Sequence, residues 1–276
     1  MLQNSLNLNV PVLAISKARF IDFHAINLKT TTLPIALVDP MLQPSSGNIV
    51  WNPLMNAPEY IFDAKEKPSL PWHEVPLIRA TEDAVKAYGY LVDDPQGFEI
   101  EITRWPAQGW RQVDEGTGDE GGWVEGIFSG EWKGDVLYGS NEAVKGNYVL
   151  GWSTDPQNAL TERQTMPRDQ VLLWHMNYHP DGGQLFYPLD KKPFIVPVAL
   201  PGDDLKPEKV VAFWCDGSRG LYIHANIWHE GIFPTEDSQR FLDRQGKVHA
   251  RVSCDIGKEF GVYLACPLRV DKIQDA

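Results

Sequence analysis

VLLWHMNYHPDGGQLFYPLD, residues 171–190, reads as strand, turn and strand. The apolar and aromatic run through Tyr178 is cut by Pro180, Asp181, Gly182 and Gly183, a cluster of turn residues. Within the first strand His175, Asn177 and His179 recur at a period of two, which puts three polar side chains on one face of a strand. Gln184 follows across the turn.

Working outward, the same alternation of short strand-like runs and turns continues in both directions. Downstream come FIVPVAL, VVAFW, GLYIHANIW, KVHARVSCDI and EFGVYLACPL; upstream, FEIEITRW alternates, and GTGDEGGW, SGEWKGD and AVKGN are Gly-rich turns. Short strands at close intervals predict an antiparallel sandwich or barrel. The strand-rich stretches 98–152 and 171–265 could form two halves of one barrel or two small units, and no internal repeat separates these alternatives. One helix is expected: Thr81 can N-cap EDAVKAY, Glu82 and Asp83 fall in the first turn, and Gly89 can end it. Residues 1–80 carry many Pro and Asn and no long periodic helix, so they are expected to form an N-terminal extension or arm, with the main domain running over 81–276.

Composition bounds the function. The chain has 276 residues, 43% of them hydrophobic and 11% aromatic, with 10 Trp, which is enough for a large core. Its net charge of −12 repels phosphate backbones and anionic lipid surfaces, so neither nucleic acid nor membrane is an expected partner. Cys215, Cys254 and Cys266 share no CxxC spacing, which argues against a thiolate zinc site and for a reducing compartment. The opening MLQNSLNLNVPVLAISKARF has only a short apolar run at 10–15 with no basic stretch before it, so no signal peptide is expected. There is no GxGxxG between strand and helix, no GxxxxGK[ST], no GxSxG and no HExxH.

Histidine carries the chemical signal. Four of the 7 His lie within 175–229, namely His175, His179, His224 and His229. On facing strands of a small barrel they would converge on one pocket, where imidazole can shuttle protons or hold a metal through a neutral ring nitrogen. In KVHARVSCDI, His249, Arg251, Ser253 and Asp255 share one face; if it points inward, Arg251 can clamp a carboxylate. Asn141, after the Gly turn of GDVLYGSNEAVKGNYVLGW, is a binding candidate set against a plain hairpin-loop role, and DEGTGDEGG is expected to be a solvated loop.

These residues resemble the ureidoglycolate lyase family. The likeness runs through HPDGGQLFYP, KKPFIVPVALPGDD and VVAFWCDGSRGLYIHANIWHEGIF, with His179, Pro180, Gln184, Phe186, Pro188, Gly220, His224, Asn226, Trp228 and His229 at the family's positions. Weaker matches are Ala87, Tyr88 and Gly89, and Asp255 near the end. The chain departs from the family at Ile223, Ala225, Glu230 and Gly231, and adds about 80 residues in front and a longer segment before His175. The resemblance implies a cupin-type antiparallel β-barrel (a double-stranded β-helix, or jelly roll) with few short helices. It implies cleavage of ureidoglycolate, or a related small ureido or hydroxy acid, to glyoxylate and urea, and a cytoplasmic homodimer working in allantoin degradation and purine catabolism. On this reading His179, His229 and Gln184 are catalytic, and His224, His175, Asn177, Arg251 and Asn141 bind substrate. An alternative places a divalent metal ion on His179, Gln184 and His229, as in cupin isomerases or dioxygenases; another is a cupin that binds a small molecule without turning it over.

Overall fold

A computed structural model describes residues 67–103, 109–117, 121–247 and 250–274, all within one compact unit. Of the arm expected over 1–80, residues 1–66 lie outside them. Residues 67–80 are built into the sheets: Trp72–Glu74 pairs in parallel with Tyr263–Pro267, and Leu77–Arg79 with Val211–Cys215.

Among the described residues the strands form two sheets. The first has 10 strands, running from Trp72–Glu74 through Tyr263–Pro267, Gln170–Leu173, Gly146–Trp152, Val136–Asn141, Trp123–Lys133, Ser238–Gly246, Gln184–Pro188 and Gly220–Ile223 to Gly89–Val92. The second has 8, running from Val252–Asp255 through His175–Tyr178, Trp228–His229, Phe194–Ala199, Val211–Cys215 and Leu77–Arg79 to Ile273–Gln274, with Phe233–Pro234 paired beside Phe194. Nearly all neighbours are antiparallel, so the mainly β, cupin-type expectation holds. The sheets share one core. Phe128, Phe186 and Phe241 of the first meet Phe194, Val196 and Val198 of the second, and the Phe194 and Phe241 rings lie 5.1 Å apart. Burying a Phe in such a core is worth about 1.5–3 kcal/mol.

The run VLLWHMNYH is not one strand. It passes from the first sheet to the second at Trp174, whose Nε1 donates to the Val149 carbonyl at 3.0 Å. The chain then returns to the first sheet at Gln184. This crossing explains why both faces of His175–Tyr178 are buried: Met176 and Tyr178 join the core, while His175 and Asn177 turn to a cavity between the sheets.

Three local expectations are corrected. The helix closes after one turn, Glu82–Val85, with Thr81 Oγ1 accepting from Ala84 N as expected; Gly89 begins a strand because its Cα packs on the Tyr222 carbonyl, where a Cβ would collide. Over its described residues, 98–103, FEIEITRW makes only an isolated bridge, Ile102 to Gly182, because its backbone groups go to a neighbouring loop: Gly183 N donates to Glu101 O, and Thr103 N to Asp181 O. A second helix, Ile256–Phe260, breaks the run predicted as strand; the Asp255 side chain caps its start, and Gly261 ends it at φ 68°.

Candidate functional site

A cavity of about 60 Å³ lies between the two sheets, room for about five water-sized groups. His175, Asn177, His179, Gln184, His229, Arg251 and Asn141 line it, so seven of the eight residues expected at the site come together. His224 does not. Its ring stands edge-on to Tyr90 at 5.1 Å and to Tyr222 at 5.5 Å, outside the cavity. The period-two reading that gathered the others fails there because His224 lies beyond its strand, Gly220–Ile223, in a turn.

That turn delivers His229. Asn226 adopts φ 68°, a left-handed conformation that Asn tolerates better than most residues, and its N–H donates to the His179 carbonyl at 3.0 Å. The turn is thus tied to the other catalytic candidate. Trp228 then buries its indole in the core, edge-on to Tyr178 at 4.7 Å, which fixes the direction of its neighbour His229.

Both imidazoles have their Nδ1 fixed by backbone. His179 Nδ1 donates to the Ala250 carbonyl and His229 Nδ1 to the Ile227 carbonyl, each at 2.8 Å. A carbonyl only accepts, so each Nδ1 carries a proton, and proton exchange by either ring runs through Nε2. The two rings stand 5.0 Å apart.

Behind His229 lies a polar chain from the first sheet that sequence reading missed. His229 Nε2 is 3.0 Å from Gln184 Oε1; Gln184 Nε2 reaches Asp243 Oδ1 at 2.8 Å and Gln245 Oε1 at 2.7 Å; Asn141 Nδ2 reaches Asp243 Oδ2 at 2.8 Å. Asp243 is fully buried, and burial pushes its carboxyl up to about 7, with the Gln184 and Asn141 hydrogen bonds working the other way. Burial likewise lowers the His229 pKa. With Gln184 Oε1 toward His229, the ring must carry protons on both nitrogens and Asp243 is the counter-charge. Turning the Gln184 amide over makes His229 neutral and puts the proton on Asp243; the Gln245 amide, turned with it, brings its Nε2, which otherwise has no partner among the described residues, to donate to Gln184 Oε1. The two states differ in which end of this chain holds one proton.

Glu230, noted in the sequence only as a departure from the family, lines the opposite wall. Its Oε2 accepts from His175 Nδ1 at 2.6 Å and Asn177 Nδ2 at 3.4 Å, and its Oε1 from Gly231 N at 2.9 Å. Burial raises this carboxyl, but the hydrogen bond and charge of His175 outweigh it and hold Glu230 below the usual carboxylate range. Tyr148 also lines the cavity; burial, then the charges of Glu230 and Asp243, raise its phenol well above the ordinary value.

Arg251 is inward-facing, and the segment read as a solvated loop holds it there. Asp114 Oδ2 accepts from Arg251 Nε at 2.7 Å and from Ser253 Oγ at 2.6 Å, and Thr117 Oγ1 accepts from Arg251 N at 3.0 Å. Asp114 is drawn out of solvent because a guanidinium is presented to it. Asp255, on the same strand, caps the second helix and pairs with Lys67 at 2.8 Å, while His249 lies outside the described residues. For the metal alternative, Gln184 is already engaged with His229, Asp243 and Gln245. Among the described residues no three His, Cys, Asp or Glu side chains converge as a metal-holding group.

Comparison with known proteins bears on what this cavity does. A model of the family described as ureidoglycolate lyase matches residues 156–256, the span that carries His175, His179, Gln184, His229 and Arg251. A ureidoglycolate lyase of Azotobacter vinelandii is 34% identical over 124 residues, which is 39% of this chain and 73% of that protein. The chain belongs to the ureidoglycolate lyase family. Two further members are similar over less of their length. A ureidoglycolate lyase of Brucella anthropi is 39% identical over 74 residues (26% of this chain, 43% of that protein). One of Stutzerimonas stutzeri is 41% identical over 78 (28% and 46%). The likeness to these family members thus spans under half of their length. Among the described residues no helix is long and apolar enough to cross a membrane.

Proposed function

We propose that the chain is a carbon–nitrogen lyase that cleaves ureidoglycolate to glyoxylate and urea. The observation that carries this is the pair His179 and His229, both with Nδ1 held by backbone carbonyls and both lining a cavity sized for a small acid. Ureidoglycolate bears a hydroxyl and a ureido nitrogen on one carbon, so cleavage needs a base at the hydroxyl and an acid at the nitrogen.

His179, whose Nε2 keeps its lone pair, takes the hydroxyl proton. The oxygen forms the aldehyde carbonyl as the carbon–nitrogen bond breaks, and the bond's electron pair leaves on the urea nitrogen. That nitrogen takes a proton from His229 Nε2, supplied in the state where Asp243 is ionised. One proton leaves the substrate and one is returned, so the protein is restored when the proton gained by His179 is passed to His229, whose ring stands 5.0 Å away. Arg251, steadied by Asp114, holds the carboxylate. Gln184 acts through His229 rather than on the substrate.

Incubation with racemic ureidoglycolate, following glyoxylate and urea with and without EDTA, tests this. Equimolar release of both products that survives EDTA supports it; no release in either sample overturns it. We also read the protein as a cytoplasmic homodimer serving allantoin degradation, which rests on the family and on three buried free thiols; light scattering tests the dimer.

A further inference from the structure

We propose that Glu230 makes the wall formed by His175 and Asn177 a subsite for the N–H donors of the substrate's ureido end, so that the substrate lies with that end at Glu230 and its carboxylate at Arg251. This rests on the lyase reading and goes beyond it by giving the substrate a direction and naming what selects its ureido group.

Glu230, held as a carboxylate, only accepts hydrogen bonds. Asn177 points Nδ2 at Glu230 Oε2, 3.4 Å away, so its carbonyl Oδ1 faces the other way. Oδ1 is buried, in a side chain 7% exposed that lines the cavity, and has no hydrogen-bond partner among the described residues. A buried acceptor without a donor is costly, and a ligand N–H at this point removes that cost. His175 anchors the other side of the same carboxylate, with Nδ1 at 2.6 Å from Oε2. An acceptor on this wall, beside a carboxylate, suits an –NH₂ and repels a carboxylate or an ester oxygen. Gln184, by contrast, has its amide nitrogen on Asp243 and Gln245 and its oxygen beside His229, which leaves no acceptor for the ureido group there. Arg251, the one arginine of the cavity wall among the described residues, suits the carboxylate.

The products separate the two ends. Equilibrium binding of ¹³C-urea and of ¹³C-glyoxylate is measured by NMR on the whole chain and on Asn177→Leu, Glu230→Gln and Arg251→Leu, with circular dichroism as a folding control. Asn177→Leu removes the acceptor, and Glu230→Gln lets the new amide donate to Asn177 and turn it over. Both are expected to weaken urea about tenfold or more, with glyoxylate within about twofold. Arg251→Leu is expected to show the reverse pattern. Urea and glyoxylate weakening together in Glu230→Gln, or urea unchanged in both Glu230→Gln and Asn177→Leu, overturns the proposal. Should Asn177→Leu fail to fold, Glu230→Gln decides alone, because it keeps the side chain's shape. Since binding is read without turnover, a chain that binds both products in this pattern but releases neither from ureidoglycolate refutes the lyase reading and not the subsite.

Discussion

Asp243→Asn is expected to make the protein more stable and much less active, with an effect on stability that depends on pH. The carboxyl is raised from 3.8 to about 7 by burial. That is about three units, or at most about 4 kcal/mol at roughly 1.4 kcal/mol per unit. Between pH 4 and 7 the folded chain keeps a proton that the unfolded chain has released. Stability conferred by the neutral form is therefore present at low pH, falls as pH rises through that window, and is flat above it. Asn at 243 copies the protonated state: its Nδ2 donates to Gln184 Oε1 in the turned amide, and its Oδ1 accepts from Asn141. Gln184 Nε2 then donates to His229 Nε2, which is locked neutral and cannot supply a proton. Guanidinium unfolding at pH 4 should show the variant within about 0.5 kcal/mol of the parent, and at pH 8 more stable by about 2–4 kcal/mol. Turnover should drop about 10²-fold or more. Parallel stability profiles across pH 4–8, or a variant less stable at pH 8, would refute the reasoning.

His229→Ala and His179→Ala should each fold and each lose about 10²–10⁴-fold in kcat, and the double variant should be little worse than either, because the two act on one bond-breaking event; a fully active single variant removes that residue from the mechanism. Asn226→Gly should melt within a degree or two of the parent, while Asn226→Val, forced to φ 68°, should lose about 1–2 kcal/mol and misplace His229. Asp114→Ala frees Arg251 from the bond that steadies it and should raise KM more than it lowers kcat in steady-state assays.

Much of the site was legible because it lies on one contiguous stretch whose spacing matches its geometry. His175 and Asn177 face the same way since strand side chains alternate, and HPDGGQ returns the chain so that Gln184 faces them from the other sheet. The same logic missed the corner at Trp174, because a strand that changes sheets keeps its local pattern. It misread EDAVKAY by taking Gly89 as the helix's end: Thr81 starts a helix as its chemistry requires, but the helix closes at Val85 and Gly89 lies in a strand packed on Tyr222. It placed His224 in the cavity by treating GLYIHANIW as continuous strand, when Asn226 turns the chain between His224 and His229.

The residues that escaped are carboxylates whose sequence surroundings disguise them. Asp243 sits in SQRFLDRQG between Arg240 and Arg244, and so looks like part of a solvated charge run. In the strand Ser238–Gly246, Gln239, Phe241, Asp243 and Gln245 all face inward, and the arginines face out to Asp190 and Glu125. The one cue was Phe241, whose parity places Asp243 on the core side. Glu230 was visible only as a mismatch to the family, and Asp114 only as one acid among several in a Gly-rich run. Glu230 and Asp114 act by being acceptor-only, and Asp243 by holding or releasing one proton. Asp243 acts through the Gln184 amide on His229, Glu230 fixes the His175 tautomer and the Asn177 amide, and Asp114 fixes the Arg251 guanidinium. A histidine pattern tells where the reacting groups are, but which nitrogen carries a proton is set for His175 and His179 by partners 55 and 71 residues away, and for His229 by Gln184, 45 residues away, beside the nearby Ile227 carbonyl; over the longer distances no local period extends.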